Sequence, residues 1–177
     1  MTIKTFNINS DKSAFVKAYL PDAIAGLPFC EKRPSVLIFP GGGYEYCSDR
    51  EGEPIALQYL AMGYAAFVVT YACNERFPEP LMNAAYIFYK IRMRAEEFSI
   101  DPQKMAVLGC SAGGHLAGCL ATMWSDVLLT KTICCEPEDL RPNAAILCYP
   151  VISGVTAPHE GSFKVLLGEN AARSDLS

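Results

Sequence analysis

Met105-Ala106-Val107-Leu108-Gly109-Cys110-Ser111-Ala112-Gly113-Gly114 is the stretch of this chain that decides its fold. An apolar run ends at Gly109, and small residues surround Ser111 before a segment with helical spacing begins. The pattern Gly-x-Ser-x-Gly is typical of a nucleophile elbow, a sharp strand-to-helix turn that lifts a serine hydroxyl clear of the sheet. Gly109 and Gly113 would relieve the crowding at such a turn. Five residues alone are weak evidence, so the interpretation depends on the surrounding chain.

Apolar runs elsewhere in the chain predict the sheet that this turn would need. Runs typical of strands buried on both faces occupy residues 36–39, 65–69, 105–108 and 144–148. Helical spacing occupies residues 54–63, residues 81–99 and the segment from Ser111 through Met123. Residues 3–8 and 15–20 alternate apolar and polar side chains, which predicts an antiparallel pair. Residues 125–143 contain two prolines and are expected to be irregular. Together these elements predict an α/β fold with a mostly parallel sheet and helices on both faces.

Length and composition are those of one globular domain. The chain has 177 residues, of which 51% are hydrophobic and 19% charged, and it contains no apolar run long enough for a membrane span. A net charge of −4 without a basic stripe argues against nucleic acid as a partner. The first ten residues lack the apolar region of a secretory signal peptide, so we expect a cytoplasmic protein that does not bind membranes.

Eight cysteines raise the question of disulfides or zinc. They are Cys30, Cys47, Cys73, Cys110, Cys119, Cys134, Cys135 and Cys148, and no two form a C-x-x-C pair. Most lie in apolar surroundings, where a free cysteine behaves as a small hydrophobic residue. We therefore expect reduced, structural thiols, and nothing in the sequence requires a metal or an organic cofactor.

Two glycine-containing turns are expected to meet at one edge of the sheet. Parallel strands place their carboxyl ends together, so the stretch from Gly41 to Gly43 should lie near Ser111. Acyl transfer needs a nucleophile and backbone N–H donors aimed at the oxygen that becomes negative. We predict Ser111 as the catalytic nucleophile and the N–H groups of Gly42, Gly43 and Ala112 as the oxyanion hole.

Two other interpretations of these turns are less favoured. A phosphate-binding loop would need a Gly-Lys-Ser or Gly-Lys-Thr step, and the chain has neither. Cys110 could be a rival nucleophile, but the motif places the serine at the exposed apex and the cysteine in the packing.

Beyond this turn chemistry, the sequence resembles the esterases of the α/β-hydrolase fold, in particular bacterial acetyl esterases related to acetylxylan esterases and the hormone-sensitive-lipase group. The resemblance rests on five segments: Pro40-Gly41-Gly42-Gly43-Tyr44, Ser48-Asp49-Arg50-Glu51-Gly52, Ile100-Asp101-Pro102, residues 109–117 and Tyr149-Pro150-Val151-Ile152. Pro40 departs from the usual His-Gly-Gly-Gly sequence but leaves the oxyanion glycines in place. The resemblance implies a single domain over residues 1–177 that lacks the last strands of the family. It also implies substrate-side positions at Tyr44 and His159.

The resemblance further implies a catalytic acid and histidine after the nucleophile, and neither is identifiable. His115 matches the structural histidine of the Ser-Ala-Gly-Gly-His-Leu-Ala stretch, and His159 lies in a segment similar to a substrate-side loop. Asp126, Asp139 and Asp175 qualify as acids only by their order in the chain. Without its base a serine nucleophile loses on the order of a millionfold in rate, so little esterase activity is expected from these residues alone.

The leading hypothesis is a serine esterase that hydrolyses small acyl esters through an acyl-enzyme at Ser111, with acetylated sugars suggested only by the resemblance. The alternatives are a truncated or degenerate hydrolase that acts, if at all, by association, and a peptidase of the same fold. The partner expected is a small ester substrate. An exposed sheet edge at residues 144–148 would also favour formation of a homo-oligomer.

Overall fold

The computed structural model describes residues 1–7, 14–22, 32–156 and 158–168. Within these ranges six strands form one sheet: β1 (Thr2–Asn7), β2 (Phe15–Leu20), β3 (Arg33–Phe39), β4 (Ala65–Thr70), β5 (Ile100–Cys110) and β6 (Ala144–Cys148). The same ranges contain six helices: α1 (Glu53–Ala61), α2 (Glu79–Met93), α3 (Ala112–Met123), α4 (Val127–Ile133), α5 (Pro137–Leu140) and α6 (Glu160–Leu167). A short 3-10 turn at Asp49–Glu51 precedes α1.

The sheet has the strand order β1-β2-β4-β3-β5-β6. β2 pairs antiparallel with both β1 and β4, whereas β3, β4, β5 and β6 run parallel to one another. The predicted antiparallel pair, four parallel strands and helical connections are therefore confirmed. Ile8, which the prediction placed in the first strand, lies outside the described residues. Within the described ranges β6 pairs only with β5, and self-association through its outer edge stays a prediction.

Alternate side chains of the central strands enter two separate cores, one on each face of the sheet. Leu37 and Phe39 of β3 pack with α2 and α3, and Val36 and Ile38 of the same strand pack with Ala56 of α1. All four β3 side chains are fully buried. A strand covered on both faces needs apolar residues at every position, which explains the continuous apolar runs of the sequence.

Two helix boundaries differ from the prediction. Helix α2 ends at Met93 rather than near Ser99, and the following residues form turns in which Ala95 and Phe98 still pack in the core. The apolar spacing therefore continues beyond the end of the helix. Strand β5 begins at Ile100 instead of after a turn at residues 101–102, and its pairing with β3 shifts register near Arg33.

The prediction that residues 125–143 are irregular is wrong, because they contain α4 and α5. Asp126 caps α4 by accepting a hydrogen bond from the N–H of Leu128 at 2.7 Å. Glu136 and Asp139 form a capping box at the start of α5, and Pro137 occupies the first turn of that helix. Proline at this position loses no hydrogen bond, so it begins the helix rather than breaking it.

Arg92 fastens this helical segment to α2. Arg92 is 7% exposed, and its guanidinium donates to the carbonyl oxygens of Pro102, Glu138, Asp139 and Arg141 at 2.8–3.1 Å. Burial lowers the pKa of Arg92. Five N–H donors in one plane can satisfy several carbonyl groups at once, which a lysine could not do.

Candidate active site

Ser111 occupies the turn between β5 and α3 with an unusual backbone conformation, φ 53° and ψ −118°. Its N–H donates to the carbonyl oxygen of Cys148 at 3.0 Å, and its own carbonyl oxygen accepts from the N–H groups of His115 and Val151 at 3.0 and 3.1 Å. Three neighbouring segments thus hold a conformation that costs about 1–3 kcal/mol in a non-glycine residue. The strand-to-helix turn expected from the Gly-x-Ser-x-Gly pattern is present.

Gly109 and Gly113 are required by close contacts within this turn. A Cβ on Gly109 would overlap the carbonyl oxygen of Gly113, and a Cβ on Gly113 would overlap the carbonyl oxygens of Phe39 and Pro40. The first turn of α3 therefore lies directly against the end of β3. This contact brings Ser111 to the glycines that follow β3.

Those glycines lie in residues 40–48, here called the glycine loop. Gly42 and Gly43 have φ values of +126° and +68°, and the carbonyl oxygen of Gly42 accepts from the N–H of Glu45 at 3.0 Å. Within the described parts of the chain, the N–H groups of Gly42 and Gly43 donate to no protein acceptor. They are therefore available to a bound group.

Ser111 borders two clefts. The first has a volume of about 310 Å³ and is bordered by Gly42, Gly43 and Glu51. The second has a volume of about 500 Å³ and is bordered by the segment from Pro150 to Ser153. Ser111, Tyr149 and His159 line both clefts.

The carboxylate of Glu51 connects the glycine loop to the loop after β6. One oxygen accepts from the N–H of Gly41 at 2.6 Å, and the other accepts from the hydroxyl of Tyr149 at 2.6 Å. The hydrogen bond to Glu51 raises the pKa of Tyr149, so the phenol stays protonated at neutral pH. Sequence reasoning assigned no role to Glu51 or Tyr149, although both lie in motifs that carried the family resemblance.

Tyr44 lies in the core and not in either cleft. It is 2% exposed, its ring packs edge-on against Tyr71, and its hydroxyl lies 2.7 Å from Nδ1 of His115. Burial raises the pKa of Tyr44 and lowers the pKa of His115. The substrate-side position predicted for Tyr44 therefore disagrees with its burial, whereas the structural interpretation of His115 agrees with its contacts.

His159 is exposed and caps α6. Its Nδ1 accepts from the N–H of Ser162 at 3.3 Å and lies 2.8 Å from the hydroxyl oxygen of the same serine. This position on the rim of both clefts is compatible with the substrate-side prediction. Among the described residues, neither histidine forms a hydrogen bond with the hydroxyl of Ser111.

Two of the three aspartates that qualify as acids by chain order cap helices instead. The carboxylates of Asp126 and Asp139 cap α4 and α5, as described above. Asp175 lies outside the described residues. Within the described parts of the chain there is no cluster of three or more His, Cys, Asp or Glu side chains that could hold a metal ion. No helix in those parts is long and apolar enough to cross a membrane.

A strained serine between a parallel strand and a helix, beside a glycine loop at the carboxyl edge of a mixed sheet, defines the class of α/β hydrolases. Residues 36–172 match the α/β hydrolase fold family. The chain therefore belongs to this family, as the sequence motifs predicted.

The chain is similar in sequence to proteins named as a xylanase and as an acetylxylan esterase. The chain is 35% identical over 153 residues to endo-1,4-beta-xylanase B of Butyrivibrio fibrisolvens, which covers 82% of this chain and 24% of that protein. It is 32% identical over 155 residues to an acetylxylan esterase of Xylanibacter ruminicola, which covers 84% of this chain and 28% of that protein. The chain thus spans about a quarter of the length of these two relatives.

Solved structures give the same fold. An α/β hydrolase enzyme from a Medee basin deep-sea metagenome library is 39% identical with a TM-score of 0.73, covering 89% of this chain and 61% of that one. An acetyl ester-xyloside bifunctional hydrolase of Caldicellulosiruptor lactoaceticus is 32% identical with a TM-score of 0.75, covering 93% and 61%. The present chain is similar to a little under two thirds of each.

Proposed function

We propose that the chain contains the nucleophile and oxyanion half of a serine esterase that hydrolyses small acyl esters. The observation that supports this most directly is the backbone of Ser111, held at φ 53° beside the glycine loop. A strained conformation is retained where the surrounding contacts impose it, and such residues cluster at active sites.

In the proposed reaction, the hydroxyl oxygen of Ser111 attacks the acyl carbon of the ester. The carbonyl oxygen becomes negative and accepts hydrogen bonds from the N–H groups of Gly42, Gly43 and Ala112, each typically worth about 3–4 kcal/mol in the transition state. The bond from the acyl carbon to the alcohol oxygen then breaks, and the alcohol leaves with the proton of the Ser111 hydroxyl. Water next attacks the acyl carbon, the bond to Ser111 breaks, and the acid leaves as the serine hydroxyl is restored. His159 stands at the substrate side, and the proposal assigns no general base.

Acetylated carbohydrates are the substrate class we favour. Two of the proteins similar to this chain are named as an acetylxylan esterase and an acetyl ester-xyloside hydrolase. The cleft beside the glycine loop is lined mainly by polar side chains, including Glu45, Arg50 and Glu51. Such a surface suits a hydroxyl-rich alcohol better than a long acyl chain.

Hydrolysis of p-nitrophenyl acetate by the chain and by its Ser111→Ala variant tests the proposal. We expect slow hydrolysis that falls to the buffer rate in Ser111→Ala, together with an acetyl group on Ser111 after acid quenching, detected by peptide mass spectrometry. Acetate release from acetylated xylan then tests the substrate class.

Ser153→Ala is the matched control, because Ser153 lines the second cleft. This variant should hydrolyse the ester as the unaltered chain does. Equal hydrolysis in Ser111→Ala, or an acetyl group on another residue, would contradict the proposed nucleophile. A rate equal to buffer in every protein would favour the alternative of a non-catalytic hydrolase fragment.

A further inference from the structure

Two thiols lie side by side at the back of the glycine loop. The sulfur of Cys47, near the end of the loop, is 3.7 Å from the sulfur of Cys73, in the segment that follows β4. The two cysteines are 26 residues apart in the chain. Their proximity therefore comes from the fold and not from local sequence.

Two hydrogen bonds join the segments that bear these thiols. The N–H of Asn74 donates to the carbonyl oxygen of Tyr44 at 2.7 Å, and its side-chain amide donates to the carbonyl oxygen of Glu45 at 2.8 Å. These bonds hold the two backbones together next to the thiol pair. Disulfide formation requires the sulfurs to approach from 3.7 Å to the bonded distance of about 2.05 Å.

Solvent reaches Cys47 from a third cleft, which does not include Ser111. Cys47 lines this cleft, whose volume is about 470 Å³, together with Lys17, Asp49 and Glu53. Both cysteines are partly exposed. The hydrogen bond between the two thiols lowers the pKa of Cys73, which favours the thiolate at that position.

We propose that Cys47 and Cys73 form a redox-sensitive dithiol, which hydrogen peroxide converts to a disulfide. The Cys73 thiolate attacks one peroxide oxygen, the O–O bond breaks, and the departing hydroxide takes up a proton to become water. The Cys47 thiol then attacks the sulfenic acid on Cys73, the S–S bond forms, the S–O bond breaks, and a second water leaves. The two thiols lose two electrons in total, and the peroxide gains them.

This inference is independent of the proposed esterase function. The disulfide would link the glycine loop covalently to the segment after β4. It revises the expectation that every thiol of the chain is only a packing residue.

Peptide mass spectrometry of the folded chain after limited peroxide treatment tests the proposal. We expect a peptide in which Cys47 is linked to Cys73, which dithiothreitol releases. In Cys47→Ser, Cys73 should retain a sulfenic acid that dimedone labels, because the second thiol is absent. Cys73→Ser should give much weaker dimedone labelling at Cys47.

Cys134→Ser is the control, because Cys134 is an exposed thiol at the C-terminal end of α4 and does not belong to the pair. This variant should form the Cys47–Cys73 link as the unaltered chain does. The proposal is overturned if peroxide oxidises Cys134 while the pair stays unlinked. It is also overturned if the link appears only after unfolding in urea.

Discussion

Replacement of Glu51 by alanine should destabilise the chain through the glycine loop. The change removes the two acceptors that hold Gly41 and Tyr149. Gly41 is buried, and an unpaired buried N–H costs about 1–3 kcal/mol. Tyr149 is 66% exposed and can donate to water instead, so its share is at most about 1 kcal/mol. We therefore expect Glu51→Ala to lower the free energy of unfolding by about 1–4 kcal/mol.

Glu51→Gln separates the shape of this side chain from its charge. The amide oxygen can keep the bond from Gly41, and the hydroxyl of Tyr149 can turn to accept from the amide nitrogen. Glu51→Gln therefore loses only the contribution of the negative charge to these hydrogen bonds. We expect it to lower the free energy of unfolding by about 1 kcal/mol. Tyr149→Phe removes only the hydrogen bond from the Tyr149 hydroxyl to Glu51. We expect this variant to lower the free energy of unfolding by at most about 1 kcal/mol.

Urea unfolding followed by circular dichroism measures these differences. For a chain of this size a loss of 3 kcal/mol corresponds to a fall in Tm of about 6–12 °C, which a thermal scan would also detect. Glu45→Ala is the matched control, because Glu45 is an exposed carboxylate on the same loop. The reasoning is refuted if Glu51→Ala is no less stable than Glu45→Ala.

Three further predictions concern stability and use the same unfolding measurements. Gly113→Ala should cost more than about 4 kcal/mol or prevent folding, because its Cβ would overlap backbone. By contrast Gly118→Ala on the same helix should gain about 0.5–1 kcal/mol, since it meets only a side chain at ordinary contact distance. Burial lowers the pKa of His115, so its neutral form contributes fully to the free energy of unfolding above the unfolded pKa of about 6.5, and this contribution decreases as the pH falls below that value. The free energy of unfolding of His115→Gln should therefore depend less on pH between about pH 7 and 5. The variant of the exposed histidine, His159→Gln, should keep the pH dependence of the unaltered chain. Arg92→Lys should lower the free energy of unfolding by about 2–4 kcal/mol, because one ammonium cannot replace the guanidinium bonds to four carbonyl oxygens. A decrease below about 0.5 kcal/mol, the usual limit for surface substitutions, would contradict that role.

The features that could be predicted from the sequence are those with local causes. A strand buried on both faces requires consecutive apolar residues, and β3 and β4 have them. The turn at Ser111 requires small residues at positions 109 and 113, because a Cβ at either position would collide with backbone atoms. These requirements apply within a few residues of the chain, so a pattern can express them.

The helical segment between α3 and β6 contains residues that the sequence pattern presents as helix breakers. Pro137 argues against regular structure when it is taken as a breaker, yet it begins α5 inside a capping box. Asp126 qualifies as a catalytic acid by its order in the chain, yet its carboxylate caps α4. Aspartate before an apolar residue is a helix-start signal, and that signal is present in the sequence.

Near Ser111, the sequence motifs do not predict in which direction the side chains point. Gly42, Gly43 and Tyr44 all have positive φ, so the loop reverses and Tyr44 enters the core beside His115 instead of facing the cleft. Glu51 lies 98 residues from Tyr149 in the chain, and only the parallel arrangement of β3, β5 and β6 brings the two side chains together. A motif can therefore indicate where backbone donors will stand. The side chain that holds those donors depends on contacts that form only when the sheet is assembled, which is why the Glu51 substitutions test the site independently of the motif.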